Sequence, residues 1–397
     1  MWHPDAPKTA VQETGEPYHV VTDRSGGVHV CSTGATNRRP DRTASFLQFL
    51  LAAMNRMDVT VIICTRNRAS HLRETLRSLA ATRVPPELEV ELIVVDNGST
   101  DDTASVVDEW TPQGWPVHYI FEDEPGLSRA GNRGVAASKG RVILFTDDDV
   151  RVPKDWIGPM VGPILQGTAE AVAGGVRLAD GLRRKWMKTV HTMLLADTEV
   201  LRESGGKRLI GANMAVARTV FDVVPGFDPA LGPGPESLGF HGETLFSFQL
   251  QRAGFRLVMA LYVSVEHYPQ ANRLQYAAFA DTMTKQGRSD AYLDHHWRHV
   301  TPTRARSLAA LVAWTAALGA YRLWPPRRRA ATEEGMAPQE MKVRRRIAYH
   351  RQMLRLHGTP RRYERLSHRK RGGERMPADR AAHGGPLSTN ERPLQVA

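Results

Sequence analysis

Three consecutive carboxylates, Asp147, Asp148 and Asp149, end an apolar run over residues 142–145. An apolar, β-branched run reads as a buried strand. Carboxylates at the end of such a strand do not all face a dry core, because unpaired buried charge is costly. They need a cation, and hard oxygen ligands suit Mg2+ or Mn2+. The competing reading is a solvated acidic turn with a helix cap near residues 153–156, since exposed carboxylates are common.

Two further polar groups follow apolar runs in the same way. Residues 59–64 lead into Thr65, Arg66 and Asn67, and residues 90–95 lead into Asp96 and Asn97. In a parallel α/β sheet the carboxyl ends of the strands share one edge, where ligands bind. Together the three groups suit a nucleoside diphosphate. Asp96 can accept hydrogen bonds from a base N–H or from ribose hydroxyls. Arg66 or Arg129 can meet phosphate. Asp147 and Asp149 can hold a divalent ion on the diphosphate.

The elements that must position these groups alternate along the chain. Leu72, Leu76 and Leu79 give helical spacing over residues 70–81, and Pro85 and Pro86 end that segment. Ser99 with Asp102 three residues on predicts a capping box opening a helix toward Trp110. A short strand over 117–120 and a helix over 127–138, stopped near Gly140, precede the strand that carries the aspartates. Strands alternating with helices of this length predict an α/β fold with a mostly parallel, Rossmann-like sheet flanked by helices and right-handed crossovers. Further on, the pattern predicts a helix over 156–165, strands over 169–176 and 210–216, and a Gly/Pro-rich loop over 226–240. A helix over 243–253, a strand ending at Glu266 and His267, and a helix over 273–293 follow. Trp156 and Trp186 can stack on a sugar or base, although large aromatics more often fill cores. His267, taken alone, reads more readily as structural than as a ligand.

Charge is unevenly spread. Residues 322–375 hold seventeen Lys or Arg against five Asp or Glu, a surplus of 12, while the whole chain carries +11. The body is therefore near neutral, and the basic segment suits an anionic membrane surface or a solvated tail. It lacks the interleaved aromatics of a nucleic-acid binder, so no nucleic-acid partner is expected. Cys31 and Cys64 are the only cysteines, which excludes a disulfide framework and fits a reducing compartment. There is no signal-peptide pattern, and no run reaches the roughly 18 apolar residues of a spanning helix. The nearest approach is uncharged residues 307–321, flanked by Arg304, Arg306 and Arg322. The expected localisation is cytoplasmic, with peripheral contact at the cytoplasmic face of the membrane.

Four stretches in this order resemble the nucleotide-binding half of family 2 glycosyltransferases, with the GT-A fold. They run from Val61 to Arg68, Ile93 to Asp101, Gly126 to Gly134 and Phe145 to Asp149. The resemblance continues through Gly211 to Ala215, Gly226 to Pro229 and the helix at Leu245, and covers about residues 58–295. It implies that Asp96 binds the nucleoside and that Thr65 lines that pocket. It implies that Arg129 and Asn132 lie near the donor, and that residues 147–149 are the acidic metal-binding motif, with Asp149 the most direct ligand. It also implies that His267 approaches the diphosphate or metal. Relatives usually carry Gly-Glu-Asp before the last of these helices, with the Asp as general base. Here His241, Gly242, Glu243 and Thr244 put Glu243 where that Asp stands. A helix N-terminal carboxylate serving the helix dipole is the competing reading of Glu243.

The resemblance implies an inverting glycosyltransferase that uses Mn2+ or Mg2+ and a nucleotide sugar, by default a UDP-sugar. The acceptor is an unspecified glycan, lipid or small molecule. A nucleotide-sugar-binding protein without turnover and a membrane-surface enzyme of lipid-linked glycan synthesis are the alternatives. The expected organisation is a disordered leader over 1–56, a nucleotide-sugar-binding half over 57–176 and an acceptor-binding half over 177–300. A helical, membrane-surface segment over 301–356 and a disordered basic tail over 357–397 complete it.

Overall fold

The computed structural model describes residues 57–363 except 111–114, 225, 236 and 324–334, and the backbone of three short strands before them. Those strands, β1 (Ala10–Val11), β2 (Tyr18–Thr22) and β3 (Val28–Ser32), pair antiparallel in chain order. The leader expected to be disordered therefore contains regular structure over these residues. The rest of it, and the tail from residue 364, lie outside the described residues.

The main unit is built on an eight-stranded sheet. Its strands are β4 (Val59–Thr65), β5 (Val90–Asp96), β6 (Val117–Phe121), β7 (Val142–Asp147), β8 (Val150–Arg151), β9 (Ala171–Leu178), β10 (Asn213–Ala217) and β11 (Leu257–His267). The spatial order is β6-β5-β4-β7-β10-β9-β11-β8. The first four strands are parallel, and the register sets Thr65 opposite Asp96 and Cys64 opposite Asp147. The half built on β4 to β7 is thus the parallel sheet its apolar runs predict. The other half is mixed, because β10 runs antiparallel to both β7 and β9, and β8 antiparallel to β11.

Alternate residues of the central strands feed two cores, one on each face of the sheet. Val61, Ile63, Leu92, Val94 and Leu144 pack with Leu72, Leu76 and Leu79 of α1 (Ala69–Ala80) on one face. Ile62, Ile93, Val95, Ile143 and Phe145 pack on the other with Ala130 of α3 (Leu127–Ala137) and Phe246 of α7 (Gly242–Arg252). Trp156 is wholly buried and donates to Asn213 Oδ1 at 2.9 Å, so it is core and not a stacking platform. Asn213 in turn donates to the carbonyls of Gly175 and Val263, at 2.8 and 2.9 Å, beside the bulge of β11.

The capping box expected at Ser99 does not form. The helix α2 (Thr103–Asp108) begins after Asp102, and Asp101 accepts from the backbone N–H of both Ala69 and Thr103. Ser99 is drawn instead to the backbone N–H of Asn67. The intermediate helices are α4 (Ile157–Leu165), α5 (Thr189–Leu194) and α6 (Glu199–Ser204). After β11 come α8 (Tyr276–Tyr292), a π-helical turn at Leu293–Arg298, α9 (Arg304–Leu323) and α10 (Pro338–Leu356). Residues 357–363, expected to open the disordered basic tail, are among the described residues. Tyr363 is buried and stacks on Trp297 at 3.8 Å between ring centroids.

Candidate active site

The parallel register brings the sequence's polar groups to one edge. Asp96, the last residue of β5, is buried, and each of its oxygens has one partner. Ser99 N–H donates to Oδ1 at 2.8 Å and the Tyr119 hydroxyl to Oδ2 at 2.7 Å. Burial and the neighbouring Asp96 carboxylate push the Tyr119 phenol up, so it stays a neutral donor. The Asp96 carboxylate is held in one orientation, with its remaining lone pairs left for a ligand.

Four predicted binding residues make hydrogen bonds within the protein. Asn97 accepts from Gly126 N–H at 2.6 Å and donates to the carbonyls of Glu122 and Glu124, fixing the loop between β6 and α3. Asn132 pairs both its amide atoms with the backbone of Phe227, at 2.8 Å each way. Asn67, at φ +52°, accepts from Thr100 N–H at 2.7 Å and ties two strand-end loops together. Asp148 points into the protein, where Thr65 Oγ1 and Arg68 Nη1 both donate to it at 2.8 Å. That bond also uses the Thr65 hydroxyl. Arg66 is exposed, and Arg129 is half-exposed in an ion pair with Glu124 at 2.7 Å.

The remaining aspartates gather with the histidine. One ligand atom from each of Asp147, Asp149 and His267 lies within 4.8 Å of the others. The pairing of β8 with β11 makes this possible, since His267 sits opposite Val150, the residue after Asp149. His267 Nδ1 lies 2.7 Å from the Leu195 carbonyl, which only accepts, so Nδ1 carries the proton. In the neutral ring, Nε2 then presents a lone pair to Asp149 Oδ1, 3.2 Å away. The two are close but not aligned as a hydrogen bond, and Oδ1 is buried without a hydrogen-bond partner. Two acceptors facing each other in a buried site need a cation between them, or a proton on the imidazole. Two carboxylates and an imidazole, its tautomer fixed by a backbone carbonyl, fit a divalent cation such as Mn2+ or Mg2+.

Charge around this cluster is finely set. Burial, with the Asp149 charge second, pushes the Asp147 carboxyl up to about 7. Burial acts the same way on Asp149, but His267, Arg68 and Arg273 outweigh it and hold that carboxyl at about 2. Burial disfavours the charged imidazole of His267, and the Asp149 and Asp147 carboxylates overcome it and raise its pKa. Arg68 and Arg273 are the functional candidates that sequence reading missed. Arg68 bridges Asp148 and Asp149 at 2.8 and 2.9 Å. It stands two residues after Arg66, and only the turn after β4 decides which arginine faces inward. Arg273 lies in the 3-10 turn Ala271–Leu274, where burial lowers its pKa and Asp149 is the first charge to oppose that. Only its position six residues after His267 pointed to it.

Glu243 occupies the first turn of α7 and is partly exposed. Gly242 seats this helix end against the start of α3, where an added Cβ would lie 3.1 Å from Ser128 Oγ. His241 precedes it at φ +75°, and its Nε2 lies 2.9 Å from Asp290 Oδ1. A left-handed backbone at a non-glycine residue is uncommon.

Residues 60–224 match the family model described as glycosyl transferase family 2. Over these residues the chain is similar to glycosyl transferase family 2. Its matched region carries Thr65, Asp96 and the three aspartates, while Glu243, His267 and Arg273 lie beyond it. Among similar curated proteins is the succinoglycan biosynthesis protein ExoM of Rhizobium meliloti. It is 31% identical over 135 residues, which are 34% of this chain and 43% of the relative. The glycosyltransferase AglE of Haloferax volcanii is 26% identical over 208 residues, 51% of this chain and 64% of the relative. The chain thus spans less than two thirds of the length of these relatives. Among solved structures, the mannosyltransferase PcManGT of Pyrobaculum calidifontis, in complex with GDP-Man and Mn2+, aligns at 18% identity and a TM-score of 0.49. The alignment covers 76% of this chain and 93% of that one.

Proposed function

We propose that the chain is an inverting glycosyltransferase that moves a sugar from a nucleotide sugar to an acceptor hydroxyl, with a divalent cation at Asp147, Asp149 and His267. The observation that carries the reading is the buried Asp149 Oδ1, without a hydrogen-bond partner and 3.2 Å from His267 Nε2. The similarity to glycosyl transferase family 2 supports the reaction class, and the register that sets Thr65 opposite Asp96 supports a second half of the donor site there.

In this reading Asp96 orients the nucleoside while Tyr119 and Ser99 keep its carboxylate from turning. Glu243 takes the proton of the acceptor hydroxyl. The acceptor oxygen forms a bond to the anomeric carbon as the bond from that carbon to the diphosphate oxygen breaks. A single displacement inverts the anomeric configuration. Asp147, Asp149 and His267 would hold a divalent cation, which would supply Lewis-acid chemistry at the diphosphate. Arg273 and Arg68 add fixed positive charge beside the leaving group, which costs no reorganisation during reaction. The default donor is a UDP-sugar.

A screen of nucleotide sugars for Mn2+-dependent nucleotide release tests this. One donor is expected to give release that Glu243→Gln lowers by about 100-fold or more. Donor binding with no release from any nucleotide sugar would instead support a binding protein without turnover.

A further inference from the structure

The helix α9 presents its surroundings with an unusual outer face. Its inner stripe, Ser307, Ala310, Leu311, Trp314, Leu318 and Tyr321, has the spacing of one helical face and is less exposed than the rest. The helix packs against α10. The outer face carries no charge from Leu308 to Ala320, and Leu308, Val312 and Leu323 are 54%, 63% and 72% exposed. An exposed helix face in water is ordinarily polar and charged. A contiguous apolar face bordered by charge marks an interaction surface.

Charge selects the occupant. Residues 295–332 contain seven arginines and not one Asp or Glu. Arg304 and Arg306 open the helix and are exposed, and Arg322 lies in its last turn near Glu340. A second copy of the chain docked on this face, parallel or antiparallel, would set arginine against arginine, and this segment offers no carboxylate in return. An anionic bilayer offers apolar tails to the outer face and negative headgroups to the arginines. At 20 residues α9 is about 30 Å long, suited to lying in the interface plane. Among the described residues no helix is long and apolar enough to cross a membrane.

We propose that α9 docks the protein onto an anionic membrane surface, with Leu308, Val312 and Leu323 in the acyl boundary and Arg304 and Arg306 at the headgroups. This surface is separate from the transfer site and stands whether or not a sugar is transferred. Flotation of the full chain with vesicles of phosphatidylcholine, with and without phosphatidylglycerol, tests it. The chain is expected to float with the anionic vesicles only and to be released by high salt. Arg304→Ala with Arg306→Ala is expected to weaken partition roughly thirtyfold. Leu308→Asp with Val312→Asp, at exposed positions, is expected to abolish flotation at an unchanged melting temperature. Three results would overturn the proposal: no flotation of the native chain, flotation that survives Leu308→Asp with Val312→Asp, or a lipid-free dimer that this variant dissolves. If the doubly substituted aspartate chain does not fold, the arginine pair decides, since unchanged partition there also contradicts the proposal.

Discussion

Asp149 and Asp148 are neighbours with opposite duties. Asp149 leaves one buried oxygen facing His267, whereas Asp148 has both oxygens engaged by Thr65 and Arg68. Asp149→Ala is therefore expected to cut metal-dependent turnover by at least about 100-fold, as loss of a charge-stabilising group does. Asn132→Ala removes a two-way amide pairing with Phe227. It is expected to cost about 1–3 kcal/mol in chemical denaturation, with little change in donor KM. The titration of Asp147 gives a third expectation. Its folded pKa, raised to about 7 chiefly by burial, means that its contribution to stability is full below about 4 and is lost as pH rises toward 7. Asp149, held at about 2, acts in the opposite sense, losing its contribution only as pH falls through that value. Because a cation binds the carboxylate form, Mn2+ affinity is expected to rise from pH 6 to pH 8, followed by titration at each pH. The identities of Asp147, Asp149 and His267 were legible in the sequence. The inward turn of Asn97, Asn132 and Asp148 was not, because their partners lie as far away as Phe227 and are set by register.

Strand ends place this chemistry, and their legibility followed their environment. The parallel strands β4, β5 and β7 are buried on both faces and announce themselves as apolar runs. The antiparallel insertion of β10 has no such signal, since five buried residues read alike in either direction. The close approach of the α3–β7 connection to β4 was equally hidden. Gly140 was read as a helix stop, yet its role is steric, because a Cβ there would lie 2.3 Å from the backbone nitrogen of Thr60. No flexible side chain can absorb that clash. Gly140→Ala is expected to destabilise the fold by about 1–3 kcal/mol, seen as a lowered melting temperature, without altering the metal ligands.

At the scale of the molecule, the chain sets a near-neutral catalytic body beside basic C-terminal helices. The motif order made the fold class readable, together with the strand ends that carry Thr65, Asp96 and the aspartates. Residues beyond the aspartates were less readable, because Arg273 stands on a 3-10 turn with no motif. The central claim is that Asp147, Asp149 and His267 hold a divalent cation that serves a nucleotide diphosphate. Titration of nucleoside diphosphate into the full chain, with and without Mn2+, tests it most directly. Mn2+ is expected to tighten nucleotide binding by about tenfold or more in the native chain and not in Asp149→Ala. Equal nucleotide affinity with and without Mn2+ in the native chain, or the same gain in the variant, would contradict it.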